Sequence, residues 1–561
     1  MSKKDSIGKI SEIILKAFKN VFLEMCPEAS LPLISEDHLQ EPKDKQFGDL
    51  TSNIAMRVAR AIGAPPNVIA DKISVHVSDM LTSVPEIDRV ETKGGFVNIW
   101  FSEVHYAKLL KDIKKKKERF ASSDCGKGKK VNLEFVSANP TGPLTIAHGR
   151  QAAIGDALSR MLRFNGYDVT TEYYLNDFGR QINLLGKSVE VRYRNFFDKN
   201  EDMPEEGYMG EYITEIAEEI KQKKSDSLLE KGPATEEFFR KYAVDYMMEL
   251  IHKDLEDFRV KFDVWTSQAK IEGRDKVSNI LQKLEERGHI YKKDEATWFR
   301  STSFKDDKDR VVIKSDGAYT YLAPDIAYHN DKYLRGYDWL IDLLGPDHHG
   351  YIKRMKAAVQ ALGHEAKTLD ILIVQLVTLM RNGEVVSMST RKGKFVRLRE
   401  VMDEIGTDVT RFYFLMRKLD SHLDFDIELA KKESSDNPVF YVQYAHARIC
   451  SILKHNEKEE TNVSSKNADL KLLTEKQEKE LMRKLGEFPI VVRSSAENLE
   501  PSKLITYLNE LARSFHSFYT ECRVVSEDAG RTSARLYLVE CVKIVLVNGL
   551  GLLNITLPEK M

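Results

Sequence analysis

The amino-acid sequence predicts an α/β protein: a Rossmann-type parallel-sheet domain split by an insertion, with a small α+β domain before it and an all-α helix bundle after it. Three observations point there. From Val131 the pattern turns strand, helix, strand, as a βαβ unit requires. A long, charged, mostly helical interval, about 191–293, separates that unit from a second alternating region. After Asp426 no strand pattern persists and helical periodicity runs to the end of the chain. The expected divisions are 1–125, 126–425 and 426–561, and 561 residues leave room for roughly three to four domains.

Each element follows from its local pattern. In the first division, apolar residues recur at helical spacing from Ile10 to Phe22 and again from Leu50 to Ala61, and GGFVNIWF, Gly94 to Phe101, alternates as a strand. The lysine-rich stretch from Lys108 to Lys130 reads as a helix and then a linker, its cations a solvated face ahead of a nucleic-acid contact. VNLEFV is a short apolar run. Ile146, Ala153, Ile154, Ala157, Leu158, Met161 and Leu162 repeat with helical period, Asn165-Gly166 stops that helix, and DVTTEYYL resumes extended structure. Beyond the insertion come DGAYTYLAPDIAY, YDWLIDLLG, a helix from about Tyr351 to Leu362, and LDILIVQLVTLM.

Composition narrows the class. Hydrophobic residues at 42% and charged ones at 31% describe a globular chain, and the net charge of −2 neither announces nor excludes a nucleic-acid partner, because such binding needs only a local patch. The five cysteines are scattered and form no C-x-x-C pair, which fits a reducing compartment. The N-terminal MSKKDSIGKISEIILKAF has no sustained apolar run. A cytoplasmic protein with no membrane partner is expected.

Two segments invite chemistry. In SANPTGPLTIAHGR, Ser137 to Arg150, a strand breaks into a Pro-Gly-Pro loop that delivers His148 to the head of a helix. Strand ends and helix N-termini in an open parallel sheet favour anions, so phosphate binding and a plain strand-to-helix turn are both open here. No P-loop and no G-x-G-x-x-G accompanies it. The second segment, RNGEVVSMSTRKGKFVRL from Arg381 to Leu398, is a glycine-flanked loop dense in Ser, Thr, Arg and Lys, suited to placing positive charge on a departing pyrophosphate.

Together, VNLEFVSANPTGPLTIAHGR and VSMSTRKG resemble the two signature motifs of class I aminoacyl-tRNA synthetases, and their flanks resemble the arginyl-tRNA synthetases. EYYLNDFGRQI, KFDVW, KSDGAYTYLAPDIAYH, LGPDHHGY, NPVFYVQYAHARI, the terminal LPEKM, and the N-terminal FGDLTSNIAMRVAR and GGFVNIWF extend the likeness over nearly the whole chain, in order. Two departures stand out. The first motif, usually His-x-Gly-His, reads Thr145-Ile146-Ala147-His148. The second carries Ser387-Met388-Ser389-Thr390-Arg391 where lysines are usual.

The resemblance implies activation of L-arginine by ATP to arginyl-adenylate, then transfer to arginine tRNA, with Mg²⁺ on the ATP phosphates. It implies catalytic roles for His148, Thr145, Ser389, Arg391 and Lys392. ATP contacts are implied for Ala138, Asn139, Pro140, Thr141, Gly142, Pro143, Leu144, Ile146, Ala147, Gly149 and Met388. The arginine pocket is implied at Glu134, Ser137, Asn139, Tyr321, Asp325 and His349, where a carboxylate suits a planar guanidinium. An N-cap role is the alternative for Asp325. Asp347, His348 and His349 follow a strand end without third and fourth ligands, so no protein-bound metal is expected. The helical domain is expected to read the anticodon and the N-terminal domain to touch the outer corner of the tRNA. Of Tyr441, Tyr444, Phe515, Phe518 and Tyr519, helical spacing assigns most to the core. The expected oligomeric state is a monomer.

Overall fold

The computed structural model describes residues 6–28, 31–32, 38–40, 42, 44–81, 84–272, 276–386, 396–434, 436–458 and 462–561. At the N-terminus, helices Ser6–Met25, Ile54–Ile62 and Pro66–Leu81 accompany a four-stranded antiparallel sheet ordered Leu39–Gln40, Leu50–Ser52, Phe96–Phe101, Ile87–Lys93. Ile14, Phe18, Ile54, Val58, Ile73 and Val97 share its core. The helix expected from Leu50 therefore begins only at Ile54: Leu50, Thr51 and Ser52 form a strand buried on both faces, which masks the two-residue alternation.

The lysine-rich helix spans Glu103–Lys116, with Ser102 as its N-cap, Glu103 in its first turn and lysines in its last, an arrangement that suits the helix dipole. It is more than a solvated face. Leu110 and Ile113 are buried in the main core, and Lys114 pairs with Glu540 on the helix Ala529–Leu552 while lying over the Tyr537 ring. Lys115, Lys116 and Lys117 remain exposed.

The central sheet has five parallel strands in spatial order Leu369–Ile373, Trp339–Leu344, Lys130–Glu134, Asp168–Leu175, Val264–Ser267. Counted along the chain this is five, four, one, two, three, the doubly wound order, with its switch point between the first and fourth strands. The expected insertion of about 191–293 needs correction, because Val264–Ser267 lies inside it and belongs to the sheet. Only four residues long, half-buried and at the edge, that strand carries no apolar run to announce itself. The interruption falls instead in two places. Helices Arg180–Asn195, Glu211–Lys224 and Pro233–Asp257 form a bundle with its own core, including Leu185, Ile213, Ile216 and Phe239. A small antiparallel sheet of Ile290–Lys293, Ala296–Phe299 and Arg310–Ile313 precedes the fourth strand.

LDILIVQLVTLM supplies two strands, since Val377–Arg381 leaves the central sheet to pair with Leu423–Asp426 and with Glu384–Val385. The last pairing is a hairpin turned by Asn382 and Gly383, both at positive φ, as a two-residue Asn-Gly turn demands. The long C-terminal helices Pro438–Lys458, Lys476–Glu497, Ser502–Glu521 and Ala529–Leu552 pack as a bundle whose core runs without a break into that of the parallel sheet. Among the described residues, no helix is long and apolar enough to cross a membrane.

Candidate functional site

The site lies at the carboxyl ends of the first and fourth strands. Glu134 and Asp342 are direct cross-strand partners there, both buried. Like charges so placed repel. Lys332, with no exposed surface, resolves the conflict: its Nζ donates to Glu134 Oε2 at 2.6 Å and to Asp342 Oδ1 at 2.8 Å. Burial opposes its charge, but Asp342 and Glu134 outweigh that and hold the ammonium well above the usual lysine range. Burial likewise works against ionised Asp342, and Lys332 and His329 overcome it, leaving the carboxyl well below its usual range. His329 Nε2 is 2.8 Å from Asp342 Oδ2 and Nδ1 donates to the Asp325 carbonyl at 2.8 Å; the Asp342 charge outweighs burial and raises the imidazole.

Helix Leu322–Leu334 presents this wall because Asp325, Tyr328, His329 and Lys332 fall at helical intervals on one face. Tyr328 donates to Glu172 Oε1 at 2.9 Å, and Glu172 is also bonded by Asn132, Thr266 and Arg335. Asp325 sits one turn into the helix, so it is not the N-cap, a place taken by Tyr321. No Lys or Arg among the described residues pairs with Asp325; the Tyr351 hydroxyl hydrogen-bonds it, and burial pushes its carboxyl up to about 6. It is a half-buried carboxylate whose charge His329 favours, but which no guanidinium or ammonium among the described residues meets.

Immediately after the first strand the backbone turns through Val136 (φ 65°) and Ser137 (φ 40°). A β-branched residue at positive φ is strained, and such strain persists only where neighbours enforce it. The Ser137 hydroxyl does so, donating to Glu134 Oε1 and accepting the Tyr174 N–H, both at 3.0 Å. Farther along, Tyr173 donates to the Ala138 carbonyl at 2.8 Å and Asn139 Nδ2 to Gln181 Oε1 at 2.7 Å. Pro140, Thr141, Gly142, Pro143 and Leu144 complete the loop to Thr145, the N-cap of helix Ile146–Phe164.

His148 caps that helix from its third position. The Thr145 N–H donates to His148 Nδ1 at 3.2 Å, which fixes the neutral ring with its proton on Nε2. Burial lowers His148 to about 4, so the ring is an uncharged donor at neutral pH. Gly149 is required by packing: a Cβ there would stand 2.6 Å from Leu398 Cδ1 and 2.9 Å from Phe414 Cε2.

Ser387, Met388, Ser389, Arg391 and Lys392 of the second segment lie outside the described residues. Its flank is nonetheless sewn to the first: Leu398 N–H donates to the Leu144 carbonyl at 2.8 Å, Ile146 N–H to the Val396 carbonyl at 3.3 Å, and Thr145 bridges Arg397. Ala147 and Gly149 ride on the same helix turn. Tyr321 is 85% exposed and His349 is exposed, both at the outer ends of the elements that hold Asp325 and Asp342, so neither joins the buried wall. Sequence reasoning missed Lys332, His329 and Asp342. An Asp inside WLIDLL, and a Lys seven residues after Asp325, were the available signals.

Residues 109–415 fit the family described as tRNA synthetases class I (R), catalytic domain, 8–101 fit the arginyl tRNA synthetase N terminal domain, and 442–561 fit the DALR anticodon binding domain. The arginine–tRNA ligase of Bacillus subtilis is 42% identical over 557 residues, covering 99% of each chain. The chain belongs to the arginyl-tRNA synthetases. Another arginyl-tRNA synthetase relative, the arginine–tRNA ligase of Anoxybacillus flavithermus, is 45% identical over 538 residues, 95% of each chain. The solved arginyl-tRNA synthetase of Thermus thermophilus shares the fold at a TM-score of 0.78 and 21% identity, covering 99% of this chain and 100% of that one.

Proposed function

We propose that the protein activates L-arginine with ATP, forming arginyl-adenylate and diphosphate, and transfers the arginyl group to the 3′ end of arginine tRNA. The observation that carries the arginine assignment is Asp325, a carboxylate raised by burial that no Lys or Arg among the described residues pairs, its charge favoured by neighbouring His329 and the Tyr351 hydroxyl. A planar guanidinium offers the missing charge with paired donors. In this reading Asp325 takes the side chain, Glu134, Ser137 and Asn139 line the strand-end side of the pocket, and Tyr321 and His349 stand at its outer margin. The Glu134–Lys332–Asp342 cluster keeps the wall rigid, so that arginine meets a preformed carboxylate.

ATP is assigned to the loop from Ala138 to Leu144 and to the helix head at Ile146, Ala147 and Gly149, with Met388 contributing from the second segment. There the dipole of the helix N-terminus favours phosphate. Thr145 and neutral His148, through its Nε2–H, stabilise charge growing on the α-phosphate, and Ser389, Arg391 and Lys392 neutralise the departing diphosphate. Alignment of the arginine carboxylate with the α-phosphate accounts for much of the remaining acceleration. Mg²⁺ in this reading rides on the ATP phosphates and neutralises them there. The protein would work in the cytoplasm as a monomer. Arginine-dependent ATP–diphosphate exchange, run with and without arginine tRNA against all twenty amino acids, tests the assignment; absence of arginine-dependent exchange even with tRNA present would reject it.

A further inference from the structure

The helical bundle between the second and third strands has its own core, yet it reaches back to the loop after the first strand at two points. Gln181, on helix Arg180–Asn195, accepts from Asn139 at 2.7 Å, and the Tyr212 hydroxyl donates to the Thr141 carbonyl at 2.8 Å. The first bond is exposed; the second is formed by a side chain only 3% exposed. Tyr212 is the second residue of helix Glu211–Lys224, and its ring folds back so closely over Gly210 that a Cβ there would sit 2.2 Å from Cε1. Ile213 and Ile216 bury the same helix in the bundle core, so the phenol is held by packing that owes nothing to the loop. At the other end, Thr141 and Gly142 have few partners of their own: the Thr141 N–H returns to the Asn139 carbonyl, and a Cβ on Gly142 would meet the Tyr212 oxygen at 3.3 Å.

We infer that Tyr212 is a positioning residue for nucleotide binding, through which the helical bundle fixes the backbone of the Asn139–Gly142 loop against the sheet. The inference rests on the assignment of that loop to ATP. Tyr173 anchors the loop at Ala138 from the sheet side and Leu398 anchors it at Leu144 from the second segment, which leaves the middle of the loop to Tyr212. A loop held at both ends but free in the middle presents its N–H groups to phosphate with more disorder to lose on binding, and the penalty falls on ATP affinity rather than on arginine.

Full-length wild-type, Tyr212→Phe and Tyr193→Phe proteins separate this role from a structural one. Tyr193 is in the same bundle core and likewise donates its hydroxyl to a backbone carbonyl, that of Ser225, but does not reach the loop. In arginine- and tRNA-dependent exchange, Tyr212→Phe is expected to raise the KM for ATP roughly 5- to 10-fold, the scale of one lost hydrogen bond. The KM for arginine should stay within about twofold, and Tyr193→Phe should leave both constants unchanged. Thermal unfolding of the two variants should agree closely. Wild-type ATP KM in Tyr212→Phe, or the same rise in Tyr193→Phe, would overturn the inference. If the wild-type protein itself shows no exchange, the ATP assignment fails and this role falls with it.

Discussion

Replacing Asp325 by Asn should make the free protein more stable and the enzyme far less active, with opposite signs for one physical reason. Burial holds the Asp325 carboxyl at about 6 against an ordinary 3.8, which is about 3 kcal/mol against its charged form at neutral pH. The sign follows from proton binding. Between these two values the folded protein keeps the proton while the unfolded chain has lost it, so the cost of Asp325 grows as pH rises from about 4 to 6 and is fully present above 6. The neutral amide of the variant carries no such cost. At pH 8 the variant should gain about 1–3 kcal/mol, a rise in Tm of several degrees for a domain of this size, and at pH 5 the gain should shrink markedly. Arginine activation should move the other way. Losing a buried carboxylate that pairs with a guanidinium costs about 3 kcal/mol or more, on the order of 10²-fold in kcat/KM for arginine. Thermal unfolding at the two pH values and arginine-dependent exchange at pH 8 read both effects. A variant that is less stable at pH 8, or that keeps its arginine kcat/KM within about twofold, would refute the reasoning.

Other outcomes follow from the same geometry. Lys332→Met should destabilise by about 3–5 kcal/mol at pH 7, because Glu134 and Asp342 would face each other buried without the ammonium between them. Asp342 contributes stability that is present above its ordinary value of 3.8 and lost as pH falls below it, so the gap from wild type in urea unfolding should hold down to about pH 4 and narrow only below that. His148→Ala should slow adenylate formation by about 3 kcal/mol in barrier. The wild-type rate should show no inflection from this ring between about pH 6 and 8, since the ring is neutral throughout. Gly149→Ala should force Leu398 and Phe414 apart, costing about 1–3 kcal/mol in stability and reducing kcat, with little change in the KM for arginine.

Much of this architecture is legible in the sequence where burial and period agree. VNLEFV and WLIDLL are buried in the middle of a parallel sheet and read as apolar runs, and the helix from Ile146 shows its period despite a buried Arg150 that holds the Gln375 and Lys418 carbonyls. Val264–Ser267 was illegible because an edge strand of four half-buried residues needs no apolar pattern, and its membership depends on pairing with Asp168–Leu175. The loop around Asn139 to His148 was marked by its Pro and Gly, but the neutral state of His148 is a consequence of burial and of the Thr145 N–H, neither of which the motif encodes. Lys332 was the hardest to foresee. Its partners Glu134 and Asp342 are distant in sequence and meet only through the register of the first and fourth strands.

Purified protein incubated with arginine tRNA, ATP, Mg²⁺ and each of the twenty amino acids in turn gives the most direct test of the central assignment. A half-buried carboxylate at Asp325 that meets no Lys or Arg among the described residues predicts that arginine alone is esterified to the tRNA. Charging with a different amino acid, or none with arginine, would contradict it.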